Sequence, residues 1–254
     1  MNRITFLGTG TSQGIPMIGC RCPVCSSNDP HDKRLRSSAL VEYEGLRILI
    51  DAGPDFRQQM LRAGSPLLDG ILLTHSHVDH TGGLDDVRAM NYLENRAFPI
   101  YCEASVEESL RKQFYYAFSD IKYPGAPQYD IRRITSLPFK INGVEIIPIR
   151  AMHYKLPVLG FRFGDCAYVT DANYIPESEF VKLEGLKIFV VNTVKRGPHI
   201  SHFSLQEAID LCRKVGAGNS FLTHLSHLLP RCADLAAELP SGIMPAWDGL
   251  EVEF

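Results

Sequence analysis

The chain is 254 residues long, with 45% apolar residues, 22% charged residues and a formal net charge of −3. That composition belongs to a folded globular protein and excludes a disordered chain; the acidic balance offers no excess of positive charge to a nucleic acid or an anionic membrane. No run approaches the ~18 apolar residues that a membrane-spanning helix needs, and the opening MNRITFLGTG lacks the ~7–15-residue apolar region of a secretory signal, so a cytoplasmic location is expected.

In chain order, RITFLGT (3–9) reads as a first strand. CRCPVC follows, placing Cys20, Cys22 and Cys25 within six residues, while Cys102, Cys166, Cys212 and Cys232 are scattered and mostly have apolar neighbours. In a cytosolic chain clustered thiols favour a metal over disulfides, and the scattered ones read as small core residues. SALVEYEGLRILIDA (38–52) is a hairpin turning at Glu44-Gly45. PDFRQQMLRAG (54–64) has helical spacing and a stop at Gly64. GILLTH (70–75) and FPIYCE (98–103) are strands, and residues 84–95 and 105–118 are helices, the second with a capping box of Ser105 and Glu108. KYPGAPQYD (122–130) is the most loop-like segment, either a flap over a site or a plain surface connection.

The second half repeats the theme. FKINGVEIIPIRAMH (139–153) carries the Asn142-Gly143 hairpin signal, and VLGFRFGDCAYVTDA (158–172) is another strand pair. LKIFVVNTV (186–194) is a continuous apolar run, expected of a strand covered on both faces. SLQEAIDLCRKVG (204–216) is an amphipathic helix with Leu205, Ala208, Ile209 and Cys212 on one side, a cap at Ser204 and a stop at Gly216. NSFLTHLSH (219–227) is a last buried strand running into histidines. Strands in both halves with helices between them predict helices layered over sheets, and the absence of any linker or low-complexity tract predicts one domain over residues 1–254.

The chemistry concentrates in THSHVDHTGG, where His75, His77, Asp79 and His80 follow a buried strand. A loop at a strand end aims several side chains into one cleft while the sheet fixes their origin, and imidazole with carboxylate suits Zn²⁺, Mn²⁺ or Fe²⁺. In an extended segment His75 and His77 point the same way, Asp79 and His80 face a second centre after a turn, and Gly82 and Gly83 let the backbone pass close by. Asp51, His153, Asp171 and His224 each end another apolar run. His31 has no such setting.

FLGTGTSQGIP, LIDAG, LTHSHVDHTGGL, AMHY, VTDA and LTHLSH together resemble the metallo-β-lactamase superfamily over nearly the whole chain, and GCRCPVC makes the chain most similar to its PhnP-type phosphodiesterases and the related PqqB-type proteins. The resemblance implies a four-layer αββα sandwich. It implies two divalent ions, Zn or Mn: His75, His77 and His153 on the first, Asp79, His80 and His224 on the second, Asp171 bridging both, and a bridging hydroxide as nucleophile. Asp51 would orient a ligand histidine from behind. His227, offered by the pattern THxSH, would join Cys20, Cys22 and Cys25 as fourth ligand of a structural zinc. His202 would contact the substrate phosphate and protonate the leaving oxygen, with His199 as its rival.

The expectation is therefore a hydrolase of a small, cyclic or linear phosphate diester, with neither membrane nor nucleic acid as partner and a homodimer left open. The rivals are tRNA 3′-end processing, which needs a basic arm that this chain lacks, lactonase or thioesterase chemistry, and a non-hydrolytic metal-binding protein of the PqqB kind.

Overall fold

Alternation along the strands decides how the layers stack. The computed structural model describes residues 2–121 and 123–254. In strand β1 (Arg3–Gly8) Ile4 and Phe6 share one apolar cluster and Leu7 belongs to another; β2 (Ser38–Tyr43) and β3 (Leu46–Ile50) divide in the same way. These strands pair with β4 (Gly70–Leu72), β5 (Phe98–Cys102), β6 (Tyr129–Arg133) and the C-terminal β14 (Glu251–Glu253) into a seven-stranded sheet of order β14-β1-β2-β3-β4-β5-β6, with β3 to β6 parallel. A second seven-stranded sheet has the order β13-β12-β11-β10-β9-β8-β7. Its members are β7 (Phe139–Ile141), β8 (Val144–His153), β9 (Leu156–Phe163), β10 (Cys166–Val169), β11 (Ile188–Asn192), β12 (Asn219–Thr223) and β13 (Ile243–Pro245), of which β10 to β13 run parallel.

The inner faces of the two sheets form one core, joining Ile4, Phe6, Val41 and Ile48 to Phe161, Phe163, Tyr168, Val190 and Phe221. The outer face of the first sheet packs on helices α1 (Phe56–Arg62) and α4 (Ala104–Gln113), that of the second on α6 (Leu205–Val215) and α7 (Cys232–Glu238). The result is the expected αββα sandwich. In β11, Ile188 and Val190 face the inner core while Phe189 and Val191 face the helices, which explains its unbroken apolar run.

Both expected hairpins are present. Glu44-Gly45 and Asn142-Gly143 turn with positive φ at both residues, 47° and 84°, and 48° and 90°. The amphipathic helix is α6, with a full capping box between Ser204 and Glu207 and a left-handed Gly216 at its end. Three expectations change. Residues 84–95 form a 3₁₀ turn (Leu84–Val87) followed by α3 (Arg88–Glu94). Residues 105–118 split at Phe114, φ −114° and ψ 40°, into α4 and a single turn, α5 (Tyr115–Phe118). Because α4 starts at Ala104, Ser105 lies inside the first turn and caps nothing.

The segment 122–130 is no flap. Lys122 lies outside the described residues, and residues 123–128 lead into β6, where Tyr129 stands opposite Phe98, the first residue of its parallel neighbour β5. That is the opposite end of the sheet from the histidine loop, which follows the last residues of β4. No helix of the described residues is long and apolar enough to cross a membrane.

Candidate active site

The candidate ligands from the two halves lie at one end of the sandwich, at or beyond the carboxyl ends of strands, most of them parallel, where open α/β sheets place ligands. Asp51 follows β3, His75 lies just beyond β4, His153 ends β8, Asp171 lies just beyond β10 and His224 follows β12. Asp51, Asp171 and His224 have left-handed backbones, φ 60°, 52° and 54°. Such conformations are sparsely populated by residues with a Cβ and cluster at ligand sites. At Asp171 the side chain of Asn192 over-determines the turn: its Oδ1 accepts from Ala172 N at 2.8 Å and its Nδ2 donates to Ala172 O at 3.0 Å.

Asp79 and His80 are displayed by one helical turn, α2 (Val78–Thr81). That turn is pressed against the end of β3, with Ala52 N donating to His80 O (2.8 Å) and Gly83 N to Ala52 O (2.9 Å). Only glycine fits the contact. A Cβ on Gly53 stands 2.0 Å from Asp79 O, and one on Gly83 stands 2.1 Å from Gly53 O.

A hydrogen-bonded chain holds the imidazoles from behind. Asp51, 1% exposed, accepts from Thr74 N (2.8 Å), Thr74 Oγ1 (2.8 Å) and His80 Nδ1 (2.6 Å). Thr74 Oγ1 is also 2.9 Å from His75 Nδ1. His153 Nδ1 donates to Ser201 O at 2.8 Å, and Ser37 Oγ, which donates to Gly10 O, is 3.0 Å from His224 Nδ1. At His75, His80 and His153 these partners commit Nδ1 and leave the other ring nitrogen for the cage, whereas His224 Nδ1 also stands 3.1 Å from Asp171 Oδ2. Thr74, Ser37, Ser201 and Asn192 were not singled out from the sequence. Each is an ordinary polar residue there, and only the position of Thr74 beside His75 could have drawn notice.

Asp171 is the centre. Its carboxylate forms one group with His75 and His80, a second with His153 and His202, and a third with Asp79 and His224, the ligand atoms of each within 4.8 Å of one another. The expected partition into His75-His77-His153 and Asp79-His80-His224 is thus only partly visible: His80 groups with His75, and His202 enters beside His153. His77 belongs to none of the three groups, although its ring centre is 4.6 Å from that of His75 and 5.2 Å from that of His153.

Three buried nitrogens in the cage, His75 Nε2, His80 Nε2 and His202 Nδ1, have no hydrogen-bond partner. His80 Nε2 stands 3.1 Å from Asp171 Oδ2 without hydrogen-bond geometry. Unpartnered buried lone pairs are costly unless something accepts them, and a ring of imidazole and carboxylate donors fits divalent cations. Two ligands ~2.1 Å from one ion stand at most ~4.2 Å apart, so each group needs only a small contraction.

Burial lowers the titration of His75 and His224, and it pulls His202 down to about 3 with help from His224. For His80 burial acts in the same direction, but the Asp171 and Asp51 carboxylates more than offset it and hold it well above the ordinary value. Burial pushes the Asp171 carboxyl up, yet His224 and His80 keep it well below the usual range.

The cysteine cluster also assembles. Cys20, Cys22, Cys25 and His227 lie within 4.8 Å of one another, with His227 Nδ1 3.4 Å from Cys20 Sγ and 3.5 Å from Cys22 Sγ. Around a tetrahedral zinc with bonds of ~2.3 and ~2.05 Å, sulfur and nitrogen stand ~3.6 Å apart, so the four side chains fit that ion. The Cys22 thiol is drawn down to about 6, first by the Cys25 backbone N–H. His202 lies two residues before the α6 cap, with its Nδ1 3.9 Å from Asp171 Oδ1, whereas His199 is farther out, its ring centre 5.0 Å from that of His202. His31 packs on Trp247, ring centres 4.7 Å apart, and contributes nothing to either cluster.

Comparison with known proteins gives a consistent picture. Residues 46–225 match the model of the β-lactamase superfamily domain. A crystal structure described as a new diphosphatase from the PhnP family is 39% identical, covers 100% of this chain and 98% of its own, and superimposes with a TM-score of 0.93. Zinc-bound PqqB from Methylobacterium extorquens is 19% identical, with coverage of 99% and 100% and a TM-score of 0.79, a likeness of fold. An octanoyltransferase of Porphyromonas gingivalis is 41% identical over 252 residues, 98% of this chain, and the chain spans only 51% of that protein's length.

Proposed function

The chain belongs to the metallo-β-lactamase superfamily, in its PhnP-like branch, and from that premise we propose that it is a metal-dependent phosphodiesterase acting on a small, cyclic or linear, phosphoric diester. The observation that carries the reading is the convergence of His75, His80, His153, His202, His224 and Asp79 on the single carboxylate of Asp171. His75, His77, His153, Asp79, His80 and His224 would hold two divalent cations, with Asp171, whose two oxygens can serve both, between them. When bound, such a pair supplies an activated water near neutral pH and neutralises charge on the phosphate.

The remaining work falls to the chain's own side chains. Asp51, Thr74 and Ser201 keep the imidazoles in one tautomer and orientation. Asp79 contributes negative charge beside His80, 3.4 Å from its Nε2. His202 is neutral in the free protein because burial disfavours its charge; the negative charge of a bound phosphate opposes that effect, and the imidazole then becomes a donor to the leaving oxygen. Cys20, Cys22, Cys25 and His227 would hold a structural zinc, and the free clustered thiols suit a reducing, cytoplasmic setting.

The similarity to a diphosphatase favours a second reading, cleavage of a phosphoric anhydride at the same site. The activity named for the P. gingivalis protein belongs to a chain about twice as long and is not carried over. Protein supplied with Mn²⁺ or Zn²⁺ should hydrolyse bis(p-nitrophenyl) phosphate, and Asp171→Ala should lose that activity while β-lactams, lactones and thioesters are left intact by both. Turnover of diphosphate esters but of no diester would transfer the conclusion to the second reading. Turnover of neither, with any divalent cation, would refute both.

A further inference from the structure

Strand β6 closes the first sheet, and its outer side is open. Gln128 O accepts from Phe98 N at 2.8 Å and Ile134 N donates to Cys102 O at 3.0 Å. By the alternation of a strand, the even-numbered residues therefore turn their N–H and C=O groups to β5, and Tyr129, Ile131 and Arg133 turn theirs outward. Among the described residues none of these outward groups has a hydrogen-bond partner. A groove of about 520 Å³ runs along the same strand, with Phe118, Tyr129, Ile131 and Arg133 in its lining. An edge of this kind is a template for another strand.

The other three edges are blunted. β13 ends in Pro245, which has no N–H to offer. Paired antiparallel with its own copy about its middle residue, β14 sets Glu251 against Glu253 and β7 sets Lys140 against Lys140, like charges in both cases. β6 reads Tyr-Asp-Ile-Arg-Arg and has the opposite property. A two-fold axis at Ile131 pairs Ile131 with its own copy and Tyr129 with Arg133, all through the outward-facing backbone groups, as hydrogen-bonded pairs. Between them, Asp130 of each copy meets Arg132 of the other in the closer, non-hydrogen-bonded pairs. Asp130 and Arg132 lie on one face of the strand, with Arg132 Nε 2.9 Å from Asp130 Oδ2, and their side chains are 43% and 49% exposed. Joined in this way, the two ion pairs make a square of alternating charge. Tyr129 and Ile131 lie on the other face, against the helix layer.

We propose that β6 is the docking edge for a second copy of this chain, paired antiparallel about a two-fold axis at Ile131, so that the first sheets of two copies run on as one. The contact is isologous, the same patch on both copies, and it closes without leaving a further edge of β6 to extend. Neither Asp130 nor Arg132 belongs to the cage or to the cysteine cluster, so metal content and activity serve as the check that a variant is folded.

Sedimentation of the wild-type chain at ~100 μM should show a dimer that dissociates on dilution, as interfaces of small area do. Asp130→Arg and Arg132→Asp each set like charges against one another at both positions, and each should raise the dissociation constant roughly 10–100-fold. Mixed one to one, the two variants are complementary again and should form a mixed dimer; the double variant D130R/R132D should dimerise by itself. A chain that merely misfolds is not rescued by the opposite variant. A wild type that stays a single chain at that concentration overturns the proposal. A dimer of unchanged strength in Asp130→Arg also overturns it, because the contact then lies on another face, and so does a mixture of the two single variants that remains monomeric.

Discussion

Thr74→Val tests whether the chain of hydrogen bonds behind the cage sets the cage. Valine keeps the branched shape and removes the hydroxyl, which stands 2.8 Å from Asp51 Oδ2 and 2.9 Å from His75 Nδ1. The hydroxyl has one proton, which goes to the carboxylate, so it accepts from His75 Nδ1–H and leaves the Nε2 lone pair for the cage. Removing it deletes a hydrogen bond to a charged acceptor and strands a buried N–H. At ~1–3 kcal/mol for each effect, and with partial overlap, the expected cost is about 2–4 kcal/mol, a fall in Tm of roughly 5–15 °C for a chain of this length. Freed from its anchor, His75 should bind its cation some 10–100-fold more weakly. The ligands around His224 and Asp79 should suffer less, since Asp51 keeps Thr74 N at 2.8 Å and His80 Nδ1 at 2.6 Å. Competition against a chromophoric chelator, on metal-free protein titrated with Zn²⁺, resolves the two affinities, and Thr74→Ser serves as the control that retains the hydroxyl. If Thr74→Val binds both ions within twofold of the wild type, the hydroxyl does not orient His75 and the argument fails.

Cys22→Ser should lower the zinc content from about three to about two ions per chain, because a tetrahedral site loses one of its four ligands; elemental analysis after dialysis reads the difference, and an unchanged content would remove the cluster from the metal inventory. For metal-free protein, stability should fall as the pH drops from 7.5 to 5.5. His75, His77, His199, His202 and His224 all titrate below the ordinary value, so below ~6.5 the unfolded chain takes up protons that the folded chain refuses, and their contribution is present above ~6.5 and lost beneath it. His80, held above the ordinary value, acts in the opposite direction but is one group against five. Thermal melts in chelator at the two pH values check the sign, and a higher Tm at pH 5.5 contradicts it.

Much of the fold was legible because it rests on period and punctuation. The unbroken run 186–194 announced a strand buried on both faces, and Asn142-Gly143 and Ser204 announced a hairpin and a helix start that the structure contains. Ser105 misled because capping depends on which peptide begins the helix. The end of β5 sets that peptide at Ala104, with Glu103 at the cap, so the Ser-x-x-Glu pattern fell two residues too deep. For 122–130 the sequence left a flap and a plain surface connection open, and topology decides between them: which end of a parallel strand a loop occupies follows from strand direction. The histidine-rich loop was legible because its donors are adjacent in sequence. Thr74, Ser37, Ser201 and Asn192 act through hydrogen bonds whose partners include Asp51, His224, His153 and Ala172, at separations of 23, 187, 48 and 20 residues that only the folded chain brings together.

The two sheets divide the cage between them. Asp51, His75, His77, Asp79 and His80 come from the ends of the first, and His153, Asp171, His202 and His224 from the ends of the second. The cysteine cluster repeats the arrangement, with three thiols from the chain after β1 and an imidazole from the chain after β12. Strand-end backbone bonds tie the same places together, Leu225 N to Thr9 O at 2.8 Å and Leu159 N to Thr74 O at 3.0 Å. A cation held in either cluster is therefore also a cross-link between the halves of the sandwich, acting on the folded state alone. This explains how a cage of nine ionisable side chains, several with no partner for a buried nitrogen, can stand at the end of an otherwise apolar core. The inner-face packing of Phe6, Phe161, Tyr168 and Phe221 brings the sheets into register, and that register, more than any local preference of the histidines, sets the donors at the spacing of a metal site.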